Sequence, residues 1–567
     1  MEKVELQNAI RINHRGFLTN SPKRFVLLDN QTGRNEFQVF AVRNVENVLE
    51  YAGQMTEETL DDGTKCFVGD FSSVTADGDY YIVAGGYKSR QFVIYDKAYD
   101  ICMRLALQFF TWQRCGHELG WHGKCHLDDG YIYETGEKAD LSGGYHQSCD
   151  LRKSPAGIAI GVLGLLRFAL LDESAWGQLL TLDEVAWACD YFAKTIQENG
   201  AMYNTLSAPF GWGGRTFYQA PAPSSAQWNV TSILAIGYRL FLKNDQERAQ
   251  KYLESALRSW DFMMGKNRPN GKYRHPDVCP RGMDPDFYYE QCEKNTTADY
   301  GYQAQVAADM YRVTGEEAYL SHLRKATVEL LGCIPTGNIA SALQRNDGSG
   351  RVVMICGSYA WLPGGLIALC DAYELLGDYK GLRTKIADVA EAVYVQSNSN
   401  VWRTVRALFS DADLDAPNGH PVPNCPPPTL RQTIKAYAFY DKGENGRDYY
   451  YSLSKNVGGT GLAAFGIFSA RAAKLLGEKK YIEVAQSVID QFLGTNLLDS
   501  SCMYAVGYNH VQRRAYGQFF PSTPFIPGAM GVPYPSLDVY KSHAEYDMPC
   551  VGMTMYLLAE TVSLLKK

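Results

Sequence analysis

The stretch QFVIYDKAYDICMRLALQFFTWQRCG, residues 91–116, decides the fold, because the spacing of its apolar residues changes within it. Its first part, Gln91–Tyr95, is the last of several short alternating runs that begin upstream. After the following aspartate, Leu105, Phe109 and Trp112 recur at the spacing of one helix face. We therefore predict that one domain ends and a second begins close to that aspartate.

On the N-terminal side of this point, residues 1–95 contain alternating runs separated by turn signals such as Asp62-Gly63 and Asp77-Gly78. Short runs of this kind between turns are typical of antiparallel strands. We therefore predict a small antiparallel sandwich. The predicted strands are Arg24–Leu28, Phe37–Val42, Lys65–Val68, Tyr80–Val83 and Gln91–Tyr95.

On the C-terminal side, residues 96–567 form a series of twelve helical patterns. Six helix pairs joined by turns favour a closed or curved toroid, and a solenoid is the alternative, although no fixed sequence period supports it. The predicted helices are Tyr99–Cys115, Pro155–Leu171, Leu182–Asn199, Ala226–Leu242, Gln246–Met264, Thr297–Thr314, Glu316–Leu331, Gly357–Leu376, Tyr379–Val395, Gly458–Leu476, Glu478–Leu493 and Glu545–Leu565.

The composition excludes several classes of partner. The net charge is −7 and no long basic run occurs, so we expect neither a nucleic acid nor an anionic membrane surface as a partner. The longest apolar stretch, residues 156–166, is shorter than the roughly 20 residues that cross a bilayer. The opening residues MEKVELQNAIRINHRG lack the apolar segment of a secretory signal, so we expect a cytoplasmic protein with mostly reduced cysteines. The oligomeric state stays open.

Two thiols and two imidazoles lie close together in sequence after the first predicted helix. They are Cys115, Cys125, His126 and His146, and zinc prefers four ligands of these types in a tetrahedron. A closed set of four would make the site structural, since no position remains for water. Spacing alone is equally consistent with buried thiols and hydrogen-bonded imidazoles that fill the loop.

The segment DLSGGYHQSCD, residues 140–150, directly precedes the second predicted helix. Its adjacent glycines allow a tight turn, and an aspartate near a helix N-terminus is electrostatically favoured. On residue type alone, Asp150 fits the N-cap of that helix.

Several stretches, in the right order, resemble glycoside hydrolase family 9, a family of inverting cellulases with an N-terminal immunoglobulin-like domain. IRINHRGFLTNSPKRFVL and DFSSVTADGDYYIVAGGYKSRQFVI are similar to the beginning and end of that domain, and QFFTWQRCG and CHLDDGY to the start of the barrel and its zinc loop. FLGTNLLDSSCMYAVGYNHVQRRAYG and EYDMPCVGMTMYLLA are similar to the sugar-binding segment and the closing helix. The resemblance implies an immunoglobulin-like β-sandwich followed by an all-α (α/α)6 barrel. It also implies that the four Cys and His ligands hold a structural zinc, and it leaves calcium open.

The catalytic motifs diverge from those of the family. The family's Asp-Ala-Gly-Asp corresponds here to Gln147-Ser148-Cys149-Asp150, so the resemblance makes Asp150 the base that activates water, while Gln147 replaces a helper aspartate. An amide can orient water but cannot accept its proton.

The resemblance leaves the register of the general acid ambiguous, within the segment KSHAEYD, residues 541–547. One register places Lys541 at the acid, and a shift of four residues places Glu545 there. We predict Glu545, since burial near Tyr540 and Tyr546 would raise its pKa, although a solvated glutamate at a helix start is the alternative.

Sugar contacts are predicted in or beside the long loops, where aromatic rings stack on sugars and guanidinium groups bind hydroxyl or carboxylate groups. Each of these side chains has packing or a surface salt bridge as its alternative role. The predicted contacts are Tyr145, Trp212, Trp228, Tyr359, Trp361, His510, Arg513 and Arg514.

These expectations predict a glycoside hydrolase that acts with inversion on β-linked oligosaccharides, of glucan or glucosaminide type, with short soluble substrates favoured. Two alternatives stay open. Tyr540, Lys541, His543 and Tyr546 could abstract a proton beside a uronic acid carboxylate, which would make the protein a lyase. The missing helper aspartate favours the second alternative, a barrel that binds glycans without catalysis.

Overall fold

A computed structural model places two β-sheets at the N-terminus and a ring of α-helices after them, which confirms the predicted fold class. The described residues are 9–60, 63–119, 122–127, 130–132, 135–148, 151, 153–172, 175–205, 217–219, 224–265, 297–334, 361–405, 407–409, 439–442, 448–451, 458–510, 526–530, 546 and 548–566.

The N-terminal domain packs two sheets face to face around a core of buried aromatic and aliphatic side chains, among them Phe17, Phe25 and Phe37. In chain order its strands are β1 (Ile10–Arg11), β2 (Gly16–Phe17), β3 (Arg24–Leu27), β4 (Glu36–Ala41), β5 (Val48–Gln54), β6 (Thr56–Thr59), β7 (Lys65–Asp70), β8 (Gly78–Ala84), β9 (Tyr87–Lys88) and β10 (Phe92–Ile94).

One sheet has the strand order β1-β3-β7-β6, and the other has the order β2-β10-β8-β4-β5 with β9 paired to β8. All pairs are antiparallel except β2 with β10. Every predicted strand is present, whereas β1, β2, β5, β6 and β9 were not predicted. The longest of these is β5. This strand lies at an edge with no buried side chain, so its sequence lacks the alternating apolar pattern of a half-buried strand.

The second domain contains twelve α-helices among its described residues. They are α1 (Asp100–Trp112), α2 (Pro155–Leu171), α3 (Ala175–Thr195), α4 (Ser224–Phe241), α5 (Gln246–Met263), α6 (Thr297–Thr314), α7 (Glu317–Cys333), α8 (Trp361–Leu376), α9 (Leu382–Asn398), α10 (Gly458–Leu476), α11 (Ile482–Phe492) and α12 (Met548–Leu565). Short strands in the connections form two further sheets. They are β11 (Tyr131–Ile132), β12 (Asn204–Thr205), β13 (Phe217–Gln219), β14 (Ala407–Phe409), β15 (Phe439–Lys442) and β16 (Asp448–Tyr451).

The even-numbered helices form a closed inner ring, because each contacts the next and α12 packs against α2. The odd-numbered helices lie outside this ring and contact their inner neighbours. This arrangement of six inner and six outer helices is the toroid that the sequence predicted.

Two glycines allow α2 and α12 to close the ring. A Cβ atom on Gly552 would lie 2.0 Å from the carbonyl oxygen of Gly161, so a side chain there would force the two backbones apart. By length and composition α12 could span a bilayer, but 78% of it is buried, as expected for a helix in the core of the ring.

The C-terminal turns of the inner helices meet in one pocket of about 210 Å³. One lining residue from each helix is Leu171, Arg239, Arg312, Glu374, Leu475 and Glu560. Since all six C-termini gather there, the N-termini of the inner helices meet at the opposite end of the ring.

Buried ion pairs join the inner helices beside this pocket. Arg167 of α2 donates to Asp309 of α6 at 2.7 Å. Asp371 of α8 accepts from Arg312 and Arg471, each at 3.1 Å. These charges therefore tie four of the six inner helices together, and we name Arg167, Asp309, Arg312, Asp371 and Arg471 the charged cluster.

The N-terminal domain contacts the ring through buried polar groups. Asn13 donates to Asp490 of α11 at 2.9 Å, and His14 Nε2 lies 3.0 Å from Asp499 Oδ1. The His14 ring also stacks on Tyr508, with 3.6 Å between the ring centroids. The two domains are thus joined by specific hydrogen bonds as well as by the chain itself.

Candidate active site and metal centre

The loop that ends at α2 lies at the end of the ring where the N-termini of the inner helices meet. The backbone N–H of Met548, the first residue of α12, donates to the carbonyl oxygen of Gln147 at 3.1 Å. Gln147 begins the segment predicted to hold the base, and Met548 follows the segment predicted to hold the acid. The two predicted catalytic segments therefore approach each other at this end, where the helix dipoles also favour negative charge.

The N-cap of α2 is Ser154, whose side chain accepts from the N–H of Gly157 at 3.2 Å. The N-cap role considered for Asp150 is therefore wrong, because a residue four positions later satisfies that helix end. Asp150 itself lies outside the described residues.

The side chain of Gln147 lies directly over the first turn of α2. A Cβ atom on Gly157 would lie 2.1 Å from Gln147 Oε1, so the amide occupies the space that only a glycine leaves open. Leu151, just beyond the predicted base, has a φ of 57°. This left-handed conformation costs a leucine about 1–2 kcal/mol, and strain of this kind is common at functional turns.

The four predicted zinc ligands come together in the structure. The ligand atoms of Cys115, Cys125, His126 and His146 all lie within 4.8 Å of one another. Cys115 and His146 are buried, while Cys125 and His126 are partly exposed. The Cys125 sulfur lies 3.2 Å from His146 Nε2.

The electrostatics of this group suit a metal ion. Hydrogen bonding with Cys115 holds the pKa of the Cys125 thiol far below its ordinary value. Burial lowers the pKa of His146 to about 4, so its imidazole is neutral near pH 7. Both ring nitrogens of His126 are buried and make no hydrogen bond of normal geometry within the described part of the chain. A thiolate and a neutral imidazole are protonation states that zinc binds, so the residues fit the ion.

Sequence reasoning missed one neighbour of this group. The rings of His122 and His146 lie 4.7 Å apart, and His122 Nδ1 lies 2.8 Å from the carbonyl oxygen of Gly123. The sequence could have indicated this neighbour, because His122 lies in the same Cys- and His-rich loop as the predicted ligands.

Two predicted sugar contacts are wrong. Tyr145 is fully buried and its hydroxyl donates to Glu184 at 2.8 Å, so its ring packs in the core between helices. Trp228 of α4 is 3% exposed and packs edge to face on Trp260, which leaves no ring face for a sugar. Both errors have one cause: loop position and residue type do not reveal which way a ring points.

His510 is half-buried, and its ring stacks on Tyr504 with 5.3 Å between the centroids. Its Nδ1 lies 3.1 Å from the carbonyl oxygen of Ser501. Trp361 is the first residue of α8, and its side chain is not described. The remaining predicted catalytic and sugar-binding residues lie outside the described residues. They are Asp150, Trp212, Tyr359, Arg513, Arg514 and Glu545.

Comparison with sequence families gives two matches. The profile for glycosyl hydrolase family 9 matches residues 99–516, and the profile for the cellulase N-terminal Ig-like domain matches residues 5–89.

Curated relatives match over part of their length. A cellodextrinase from Butyrivibrio fibrisolvens is 28% identical over 344 residues, which cover 55% of this chain and 60% of that protein. Endoglucanase D from Acetivibrio thermocellus is 25% identical over 355 residues, which cover 56% of this chain and 54% of that protein. The chain thus matches little more than half of the length of these relatives.

Solved structures share the fold. A metagenome-derived glycoside hydrolase family 9 endoglucanase has a TM-score of 0.69 at 18% identity, covering 98% of this chain and 99% of that chain. A zinc-binding triple mutant of the family 9 endoglucanase J30 has a TM-score of 0.70 at 16% identity, covering 96% of this chain and 99% of that chain.

Proposed function

The chain belongs to glycosyl hydrolase family 9, and from this premise we propose that it hydrolyses β-linked glucan oligosaccharides with inversion at the anomeric carbon. The observation that carries the proposal is the hydrogen bond between Gln147 and Met548. It joins the start of the segment that holds the predicted base to the end of the segment that holds the predicted acid.

In this mechanism Asp150 removes a proton from water while Glu545 protonates the leaving oxygen. Inversion needs about 6.5–9.5 Å between the two carboxyl groups, so that water fits between Asp150 and the sugar. Gln147 takes the place of a second carboxylate and orients the water through its amide, without accepting a proton. Arg513 or Arg514 binds the sugar beside the bond that breaks.

We propose that Cys115, Cys125, His126 and His146 hold a structural zinc. A site with four protein ligands leaves no position for water, so the ion supplies rigidity to the loop and takes no part in bond cleavage. His146 is followed directly by Gln147, and therefore a fixed imidazole also fixes the start of the catalytic segment.

Short oligosaccharides are the proposed substrates. The match to a protein named cellodextrinase supports this choice over long polymer, and glucosaminides remain a second class to test. The lyase alternative loses support because one of its four residues, Tyr546, is fully buried and packs edge to face on Phe109.

The first experiment measures turnover of β-linked cellodextrins, glucosaminide disaccharides and uronide oligosaccharides, with product anomers followed by NMR. Asp150→Ala and Glu545→Gln should each reduce kcat by more than about 100-fold, since each removes a proton-transfer group. Glu247→Gln, an exposed glutamate in the first turn of α5, is the matched control and should keep wild-type activity.

The outcomes separate the three functions. Inverted reducing sugars that disappear in both variants support the proposal. New ultraviolet absorbance from an unsaturated uronide would show elimination instead, and binding without turnover would show a glycan-binding protein. Full activity in Glu545→Gln would place the acid elsewhere.

Gly157→Ala tests the role of Gln147 without touching that residue. The added Cβ would lie 2.1 Å from Gln147 Oε1 and must displace the amide. A misplacement of this size should lower kcat by about 10- to 100-fold while KM changes little. Wild-type kcat in this variant would exclude Gln147 from water positioning.

A further inference from the structure

The segments before the first and last zinc ligands pair with each other as a short antiparallel bridge. The N–H of Cys115 donates to the carbonyl oxygen of Gly144 at 2.9 Å, and the N–H of His146 donates to that of Gln113 at 2.9 Å. The distance between the buried ligands Cys115 and His146 is therefore set by the position of these two segments.

The residues between these hydrogen bonds, Arg114 and Tyr145, are the paired residues of the bridge. Successive side chains in extended chains point to opposite sides. The side chains of Cys115 and His146 point toward the other two proposed zinc ligands. Those of Arg114 and Tyr145 point the opposite way and bind Glu184 of α3.

Glu184 is 1% exposed, and its carboxylate accepts four hydrogen bonds. Its Oε1 accepts from Arg114 Nε at 3.0 Å and from the Tyr145 hydroxyl at 2.8 Å. Its Oε2 accepts from Arg114 Nη2 at 2.9 Å and from the Thr111 hydroxyl at 2.6 Å. One buried carboxyl group thus holds both segments of the bridge and the end of α1 against α3.

A second contact from the same helix reaches the bridge. Trp187, three residues after Glu184 and on the same face of α3, donates its Nε1–H to the carbonyl oxygen of Gly144 at 3.0 Å. The same carbonyl oxygen accepts the hydrogen bond from the N–H of Cys115. Helix α3 therefore holds the bridge both through the side chain of Tyr145 and through the backbone beside it.

We propose that Glu184 is a positioning residue that sets the geometry of the zinc ligands from behind the bridge. The inference rests on the proposed function, because the loop that it positions continues to the predicted base. Groups outside the ligand shell that orient ligands typically change metal affinity by about 10- to 100-fold when they are replaced. The observation behind the proposal is that one buried carboxylate binds both Arg114, the residue before Cys115, and Tyr145, the residue before His146.

The test compares Glu184→Gln with Asp183→Asn in the full chain, with zinc affinity measured by competition against a chromophoric chelator. The glutamine amide has one acceptor oxygen, and its NH₂ group faces donors, so part of the four hydrogen bonds is lost. Asp183 is the matched control: it also binds Arg114, at 2.6 Å, but its side chain is 70% exposed and solvent screens the pair.

We expect Glu184→Gln to weaken zinc binding by about 10- to 100-fold, and Asp183→Asn to change it less than about twofold. Excess zinc should then restore kcat of Glu184→Gln with KM unchanged. Wild-type zinc affinity in folded Glu184→Gln would overturn the proposal, as would an equal loss in Asp183→Asn, which would assign the effect to the charge of Arg114 alone.

Tyr145→Phe decides the matter if Glu184→Gln does not fold. This variant removes one hydroxyl and no charge, and we expect zinc affinity to fall about fivefold, with no change contradicting the proposal. Zinc affinity needs no turnover, so it distinguishes this inference from the hydrolase proposal. A chain that binds zinc as expected but cleaves no glycan would overturn only the latter, whereas a wild-type chain without zinc affinity would overturn the positioning role.

Discussion

Two buried carboxylates, in two regions of the molecule, have opposite pKa shifts. Asp371 lies in the charged cluster, and although burial opposes ionisation, Arg471, Arg312 and Arg167 hold its pKa well below the ordinary value. Asp490 lies at the contact with the N-terminal domain, where burial raises its pKa to about 7 and hydrogen bonds from the neutral amides of Asn13 and Gln486 offset only part of that rise. Burial alone therefore does not determine charge. The neighbouring groups decide it: arginines keep the carboxylate of the charged cluster ionised, whereas the carboxyl group at the domain contact changes its charge near neutral pH.

The largest expected effect comes from breaking the charged cluster. Asp371→Asn leaves three arginines short of a counter-charge, and removal of one partner from a buried ion cluster costs about 3–5 kcal/mol of stability. Urea unfolding of the variant and the wild type measures the difference.

Glu374→Gln is the control for that measurement. Glu374 pairs with Arg312 and Arg471 as well, but its side chain is 40% exposed. We expect a loss of about 1 kcal/mol or less. Equal losses in the two variants would mean that burial does not distinguish the two carboxylates.

The next effect concerns the domain contact and pH. Because the pKa of Asp490 is raised by folding, its protonated form stabilises the fold at low pH, and that stability is lost as pH rises from about 4 to about 7. In Asp490→Asn a neutral amide replaces the carboxyl group. Its oxygen can still accept the hydrogen bonds from Asn13 and Gln486, and the side chain cannot ionise.

We therefore expect Asp490→Asn to be more stable than the wild type above pH 7, by about 1–3 kcal/mol. Its free energy of unfolding should also vary less between pH 4 and pH 7. Thermal unfolding across that range is the measurement, and parallel pH profiles for the two proteins would contradict the assigned pKa shift.

The smallest effect is expected at the edge of the domain contact. Glu58 of β6 forms an ion pair with Arg403, and both side chains are about one-fifth exposed. Glu58→Gln should cost about 0.2–1 kcal/mol, with a loss that shrinks as salt is added. A loss of several kcal/mol of stability that does not depend on salt would mean that this pair behaves like the buried pairs of the charged cluster.

Much of the fold was predictable because periodicity reports burial. The stripes of apolar residues predicted all twelve helices within a few residues at most ends. The start of α3 was placed seven residues too late, at Leu182 instead of Ala175. The residues between them include a glycine, whose low helix propensity weakens the local signal for a helix.

The cluster of Cys115, Cys125, His126 and His146 was predictable because these residues lie close together in sequence and match a family motif. Glu184 was not, because its contacts with Arg114 and Tyr145 exist only once α3 packs behind the loop. The same packing explains the error at Tyr145. A sequence pattern shows that a loop is rich in functional residue types, whereas the direction of each side chain depends on helices far away in the chain.

The close contact of Gly161 with Gly552 has a consequence for biosynthesis. These residues lie on the first and last inner helices, so the ring cannot close on the ribosome until nearly the whole second domain has been made. Before that moment α2 presents an apolar face without its partner, and contacts so distant in sequence form slowly. A nascent chain that stops before α12 should therefore remain an open arc that chaperones bind.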